Sequence, residues 1–350
     1  MTVNAPLFEL PFTGYGLVCA FGAAVGLALT LPGTLLAGRG WAAWVRFAVC
    51  VLFFGWLGAR LMYAVPDLLM GLLNELGVIQ EHNSVYLNDI GSAVPALFFW
   101  EGGYSLAGAI PGAILGAWIA EKWTGAPCGF FRDRLALTVP VFVLAERLAE
   151  HGTGIGTGVE VSSDWLIGTG LCVREGGAAF HPLYLYEALL AAAVLAVMAV
   201  QEFRRLGRSA GGDRLRFFLV IFCLPMVVLE AFRPLTGHMI IHFVNVTQIA
   251  MMALALAPVI RWSIRLGRGG RPAAVKGAVL GAGWFLIAAG LALSVWCIFG
   301  MEKDWVSRGL AYILIALAMA VIGAVTGVVR RYAGSKGGPA DGSREDPAHQ

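Results

Sequence analysis

Nine long apolar runs constrain this chain more than any other feature. They fall at about 12–33, 43–65, 104–121, 135–151, 183–203, 216–234, 245–262, 276–299 and 309–329. As helices they suit the roughly 30 Å of hydrocarbon in a bilayer. The fourth is interrupted by a cluster of charge, at Glu146, Arg147 and Glu150. The chain is 58% hydrophobic and 13% charged, against about 25% charged in a soluble domain. Its mean hydropathy is +0.75. The expected fold class is therefore all-α: a polytopic membrane protein with about nine transmembrane helices. A net charge of +3 is too small to point to nucleic acid, so no nucleic-acid partner is expected.

Where the charges lie orients the spans. Arg39 follows the first, Lys122, Arg132 and Arg134 the third, Arg204, Arg205, Arg208 and Arg214 the fifth, and Arg265, Arg268, Arg271 and Lys276 the seventh. Arg330, Arg331, Lys336 and Arg344 follow the ninth, while the intervening loops hold at most two such residues. By the positive-inside rule the N-terminus lies outside and the C-terminus in the cytoplasm. Residues 1–262 are expected to form a seven-span domain, 263–275 a cytoplasmic linker, 276–330 two additional spans, and 331–350 a disordered polar tail. The stretch from Pro66 to Ile79 predicts a short interfacial helix. No basic residue precedes the first apolar run, so a cleaved signal peptide is not expected.

With that orientation, polar residues of six spans fall at one depth, near the outer face, at 1.5 Å of rise per residue. They are Tyr15; Arg60; Glu146, Arg147 and Glu150; Tyr184, Tyr186 and Glu187 after His181-Pro182; Glu230 and Arg233; and Asn245 and Gln248. An ionised side chain in hydrocarbon costs about 2.5–3.5 kcal/mol even on the lenient insertion scale. Any one of these residues suits an interhelical ion pair or a snorkelling arginine. The whole set at one depth favours a cavity open to the outer leaflet. Its arginines suit a phosphate-bearing lipid headgroup, because guanidinium forks match phosphate oxygens.

Other features carry less. The six scattered cysteines form no C-x-x-C pair and read as small apolar side chains. The glycine-rich run at 152–158 follows a helix-like stretch and lacks the strand–turn–helix setting of a phosphate loop. His238 and His242 want a third ligand. No metal and no cofactor are expected.

The motifs, taken in order, resemble the bacterial prolipoprotein diacylglyceryl transferases. They are Tyr15-Gly16-Leu17, Gly58-Ala59-Arg60-Leu61-Met62-Tyr63, Trp100-Glu101-Gly102-Gly103-Tyr104-Ser105, His181-Pro182-Leu183-Tyr184-Leu185-Tyr186-Glu187, Glu230-Ala231-Phe232-Arg233 and Gln248. The resemblance covers residues 6–262. It implies transfer of a diacylglyceryl group from phosphatidylglycerol to the lipobox cysteine of a prolipoprotein signal peptide, forming a thioether and releasing glycerol phosphate. The setting would be the bacterial plasma (inner) membrane, with membrane lipid as a partner. It also implies catalytic roles for Arg147, Glu230 and Arg233, with Arg147 on the lipid phosphate. Substrate contacts are implied for Tyr15, Arg60, Gly102, Gly103, Ser105, His181, Tyr186, Glu187 and Gln248.

The chain departs from the family pattern at three places. Leu106-Ala107-Gly108 stands where the family has Phe-His-Gly. Glu146-Arg147-Leu148-Ala149-Glu150-His151 replaces Gly-Arg-x-Gly-Asn-Phe, and Met226 takes the place of an arginine. With the family histidine absent at Ala107, His151 is the expected compensating base for the thiol. The departures keep open a catalytically inactive or retasked paralogue that binds lipid or lipoprotein. A transporter ranks last, for want of inverted repeats with broken helices at mid-membrane.

Overall fold

A computed structural model describes residues 14–75, 103–151, 153, 156–161, 167–204, 211–233, 239–241, 244–270, 272–302 and 305–334. Its long elements are α1 (Gly14–Ala28), α2 (Leu31–Leu36), α3 (Trp41–Glu75), α4 (Leu106–Thr124), α5 (Leu135–Ala149), α6 (Leu183–Phe203), α7 (Asp213–Leu229), α8 (Val246–Arg268), α9 (Ala273–Glu302) and α10 (Arg308–Gly334). Two short antiparallel hairpins join them, β1 (Val173–Glu175) with β2 (Ala178–Phe180) and β3 (Met239–Ile241) with β4 (Val244–Asn245). The protein is thus an all-α polytopic membrane protein. Among the described residues, seven segments are long and apolar enough to cross a bilayer: Gly14–Leu36, Trp41–Pro66, Leu183–Phe203, Asp213–Phe232, Val246–Arg268, Ala273–Cys297 and Gly309–Ala333. Large apolar side chains such as Phe21, Val49, Phe53, Leu189 and Phe285 are exposed along them, as lipid-facing residues should be.

The third and fourth expected spans are helices too, α4 and α5, but of a different kind. α4 is diluted by glycine and ends on Glu121-Lys122, and α5 has only 15 residues, nine of them buried. A helix walled by other helices needs neither the length nor the apolarity of one that faces lipid. The stretch expected as a separate interfacial helix continues α3 through Pro66 to Glu75. α8 runs on to Arg268, into the stretch expected as linker. His238, His242 and Gly102 lie outside the described residues.

Helices α3 and α4 meet at a seam of small residues. Gly108, Gly112 and Gly116 recur every fourth position along α4. A Cβ on each would collide with a backbone carbonyl of α3, at Gly58, Phe54 and Cys50 respectively. In lipid, where apolar side chains gain nothing by leaving solvent, such close backbone approach is what holds helices together. α1 meets α5 the same way, with Gly22 against Ala145 and Gly26 against the Thr138 carbonyl.

At the end of the bundle that holds the Asp133 turn, polar groups close the interior. Asp133 accepts the backbone N–H groups of Gly212, Arg214 and Leu215 at 3.0–3.2 Å, capping α7 from another element. Arg134 donates to the Gly33 carbonyl at 2.7 Å and to Thr34 Oγ at 3.1 Å. It shares Glu202 with Arg214. Arg134 and Glu202 mark one end of α5 and α6, and Arg147 and Glu187 the other, about 20 Å away at 1.5 Å per residue.

The chain divides into two compact units, residues 1–255 and 256–350, with the boundary inside α8. In the second unit α9 packs along α10, Gly290 against Ile322 and Gly283 against Val329. Trp284 donates to Ser263 Oγ at 3.0 Å.

The α3–α4 seam makes a direct prediction. Gly112→Ile should destabilise the protein by about 3 kcal/mol or more, the upper end of overpacking costs, because the obstacle is a backbone carbonyl that cannot rotate away. Gly323→Ala, whose Cβ meets nothing within 4 Å, should be neutral or slightly stabilising. Thermal unfolding in detergent checks both; equal behaviour of the two variants would mean the seam does not hold the helices together.

Candidate active site

At the other end of α5 its last turn presents Glu146, Arg147 and Glu150, and a cation there meets the favourable end of the helix dipole. The second turn of α6 presents Glu187. Arg147 forms ion pairs with Glu150, with Glu187 Oε2 at 2.5 Å from Nε, and more distantly with Glu146 at 3.8 Å. Glu187 is 0% exposed, and its other oxygen accepts from Arg233 Nη2 at 2.6 Å. Arg233 closes the 3₁₀ turn Glu230–Phe232 that follows α7, and its Nε donates to Glu230 Oε2 at 2.8 Å. Asn245 Nδ2 then donates to Glu230 Oε1 at 3.2 Å. Tyr15 of α1 approaches Glu146 Oε1 at 3.5 Å. One continuous polar chain therefore runs through α1, α5, α6, the turn after α7 and the start of α8.

Gln248 joins this chain by its backbone geometry. Asn245 is the N-cap of α8, and its Oδ1 accepts Gln248 N at 2.7 Å while Gln248 Oε1 accepts Asn245 N at 3.1 Å. That reciprocal pair is a capping box. Gln248 Nε2 is also occupied, donating to the Val227 carbonyl at 3.2 Å.

Two further groups flank the network. His181 is buried, its Nδ1 3.2 Å from Tyr186 Oη and its ring edge-on to Phe232 at 5.6 Å. The β1–β2 hairpin, turned by Gly176-Gly177 with both φ positive, feeds straight into it. Segment 156–161 stitches the parts together. Gly158 N donates to His181 O, Val159 N to Phe232 O, Val161 N to Ala179 O and Tyr184 N to Gly156 O, all at 2.7–2.9 Å. The second group joins α3 to the start of α4. Buried Arg60 donates to the Gly103 carbonyl at 2.7 Å, with the rings of Tyr63 and Tyr104 about its guanidinium at 5.6 and 5.5 Å. Gly103 has φ +76°, and a Cβ there would run into the Tyr63 ring. Ser105 N donates to the Ala59 carbonyl at 3.1 Å.

The structure thus joins Arg147, Glu187, Glu230 and Arg233 directly, reaches Tyr15 through Glu146 and Gln248 through Asn245, and groups Arg60 with Gly103 and Ser105. His151 is exposed, its Nδ1 2.8 Å from Tyr184 Oη. Glu146, Glu150 and Asn245, which the sequence puts at this depth without a role, enter the network as partners of Arg147 and Glu230. Asn245-x-x-Gln248 was legible as a cap, whereas nothing in the sequence pairs Glu150 with Arg147 rather than with solvent.

Fold and site together define a polytopic helical membrane protein with a buried carboxylate–guanidinium network at one end of its bundle. The family model of prolipoprotein diacylglyceryl transferases matches residues 3–264, and the chain belongs to that family. It is 28% identical over 213 residues to the phosphatidylglycerol–prolipoprotein diacylglyceryl transferase of Frankia alni, covering 58% of this chain and 51% of the relative. For the enzyme of the same name from Streptomyces griseus the figures are 28% over 229 residues, 63% and 64%. For Streptomyces coelicolor transferase 1 they are 25% over 286 residues, 79% and 76%. The matched stretch therefore spans about half to three quarters of these relatives.

Glu187→Ala would leave two guanidiniums facing each other without their shared carboxylate. Breaking one side of a buried ion pair costs about 3–5 kcal/mol, so the variant should unfold at markedly lower temperature or fail to accumulate. Glu187→Gln, which can still accept hydrogen bonds, should lose less. Thermal midpoints in detergent for the two variants and wild type decide it.

Proposed function

We propose that this chain transfers a diacylglyceryl group from phosphatidylglycerol to the lipobox cysteine of prolipoproteins; the names of its relatives give the lipid, the prolipoprotein and the group transferred. The observation that carries the reading is the Glu187-bridged Arg147–Arg233 pair in a chain whose family match covers residues 3–264. The setting proposed is the bacterial plasma (inner) membrane, crossed nine times, with the N-terminus outside and the C-terminus in the cytoplasm. The alternation of Lys/Arg among the loops supports that topology. Residues 1–262 would then form the transferase domain and α9 and α10 an addition to it.

In this reaction the lipobox thiolate attacks the glyceryl carbon that bears the phosphate. A C–S bond forms, the C–O bond breaks, and its electrons leave with glycerol phosphate. The leaving group needs positive charge where negative charge grows. Arg233 is the guanidinium that suits the task. Its side chain is 25% exposed, and Glu230 and Glu187 engage only Nε and Nη2. Arg147, enclosed by three carboxylates, holds Glu187 and through it the direction of Arg233. Arg60 within α3 and Gly103 just before α4, with Gly102 and Ser105, are proposed for the lipid headgroup. Tyr15, His181, Tyr186 and Gln248 complete the proposed substrate surroundings.

A second reading has its own observation. Ala107, at the family's histidine position, is 1% exposed and closely packed, and Met226 is buried at the family's arginine position. A paralogue that binds phosphatidylglycerol without reacting fits those two positions.

The test is purified protein with phosphatidylglycerol and a lipobox peptide, with thioether formation read by mass spectrometry. Wild type should form the product, and Arg233→Lys, which keeps the charge but not the fork, should slow it on the order of 10²-fold. Phosphatidylglycerol binding with no thioether from wild type would sink the transferase in favour of the paralogue. An Arg233→Lys variant at full rate would remove Arg233 from the phosphate.

A further inference from the structure

The network holds more negative charge than positive. Glu146, Glu150, Glu187 and Glu230 face Arg147 and Arg233, so four carboxylates against two guanidiniums leave a surplus of two negative charges. Carboxyl groups that share one buried site cannot all ionise, so surplus charge of this kind is carried as protons. Geometry says where. Glu187 gives each oxygen to a different guanidinium, at 2.5 and 2.6 Å. Glu230 has one oxygen on Arg233 and the other on Asn245. Every oxygen of these two thus faces a donor. Glu146 has only the long contacts to Tyr15 at 3.5 Å and to Arg147 at 3.8 Å. Glu150, 3% exposed, gives Oε1 to Arg147, while its buried Oε2 has no hydrogen-bond partner among the described residues. The two loosely held carboxyls stand four residues apart on one face of α5, either side of Arg147.

They are also the two glutamates that the family motif lacks. Glu187 and Glu230 belong to motifs the chain shares with its family, whereas Glu146 and Glu150 occupy the Gly and Asn positions of the altered one. The residue lost elsewhere is a titratable histidine, at Ala107. We propose that Glu146 and Glu150 are this chain's proton acceptor, holding one proton between them at neutral pH and taking a second from the lipobox thiol. This role rests on the transferase reading. The thiol S–H proton passes to the free carboxylate oxygen, Glu150 Oε2 in the arrangement seen here. The thiolate then forms the C–S bond as the C–O bond breaks, and the pair returns its proton to the departing phosphate or to water. The charged and titratable groups facing the pair are Tyr15 and Cys19 from α1, Arg147 on α5, Glu187 from α6 and Arg233 from the turn after α7. Gly156 packs against Glu150, since a Cβ there would lie 2.7 Å from Oε2 and displace the carboxyl. His151, the acceptor expected from sequence, turns to Tyr184 instead.

Two measurements on the full-length protein test this, the first in micelles of a detergent without carbonyl groups and the second in phosphatidylglycerol nanodiscs. The first needs no peptide. Infrared spectroscopy of wild type at neutral pH should show a carboxylic-acid C=O band, and Glu146→Gln and Glu150→Gln should each lose it, because the shared proton needs both carboxyls. A wild type without that band overturns the shared proton. The second is the pH profile of thioether formation. Glu150→Gln should lower kcat about 10²-fold or more, the usual worth of a general base, and abolish the acid limb. Glu146→Gln should move the acid limb to lower pH, since Glu150 then no longer faces a like charge. Glu150→Asn restores the residue type of the family motif and serves as the variant best able to fold. His151→Ala should keep the wild-type profile. Loss of the acid limb in His151→Ala with a normal Glu150→Gln overturns the proposal. No thioether from wild type sinks the transferase reading and the acceptor role with it, while the infrared band still decides the shared proton by itself.

Discussion

A carboxylate with no exposed surface, held between two guanidiniums from different segments, is the constraint on which this end of the bundle depends. Glu187 belongs to the start of α6, Arg147 to the end of α5, and Arg233 to the turn leaving α7. Moving any one of these ions from water into a low-dielectric interior costs several kcal/mol, recovered only when geometry and hydrogen bonding are good. Each charge therefore fixes the other two. The three segment ends cannot drift independently, since a lost partner would strand a charge in the interior.

The rest of the molecule lets that bridge form. Small residues bring α4 onto α3 and α1 onto α5 at backbone contact, so α5 sits deep enough for Arg147 to be enclosed. At the far ends of α5 and α6, Glu202 repeats the arrangement with Arg134 and Arg214. α5 and α6 are thus pinned at both ends by shared carboxylates with an apolar stretch between. Segment 156–161 and the β1–β2 hairpin bind the start of α6 to the Glu230–Arg233 turn by backbone hydrogen bonds, so that turn is positioned by covalent neighbours and loops alike.

Much of this was legible in the residues. Apolar run length located every described span, because hydrocarbon thickness acts on the sequence directly. The depth of Arg147, Glu187, Glu230 and Arg233 followed from counting along helices. The i, i+3 spacing also gave the Glu230–Arg233 pair; what stayed hidden was pairing between segments. The sequence-based cavity had three arginines beside carboxylates, offered to phosphate. In the structure Arg147 is taken by carboxylates and Arg60 faces the Gly103 carbonyl and two tyrosine rings. Which acid meets which base depends on helix rotation, which a one-dimensional count at matching depth does not contain. The hairpin at 173–180 escaped for a different reason: its strands are three residues each, too short for periodicity to show, and only Gly176-Gly177 announced the turn. The Gly108–Gly112–Gly116 spacing was visible in the letters, as the small-residue motif of packed membrane helices.

The surplus of carboxylates bears on how an anionic lipid enters. A phosphodiester brings another negative charge toward a cluster that already has four acids and two bases. Repulsion falls if Glu146 and Glu150 hold a proton, and the open side of Arg233 can then face phosphate while Glu187 keeps its other edge. Proton and lipid would therefore favour one another's presence, each lowering the electrostatic cost of the other, by the linkage that joins any two ligands of one site. When the thiol proton arrives at the pair, the C–O bond is breaking and negative charge is growing on the phosphate beside Arg233. A cluster that begins too negative becomes less so as the leaving group needs it. Such an arrangement puts proton handling and phosphate stabilisation on adjoining residues of α5, α6 and the turn after α7, and it leaves Ala107 on α4 free of any acid–base task.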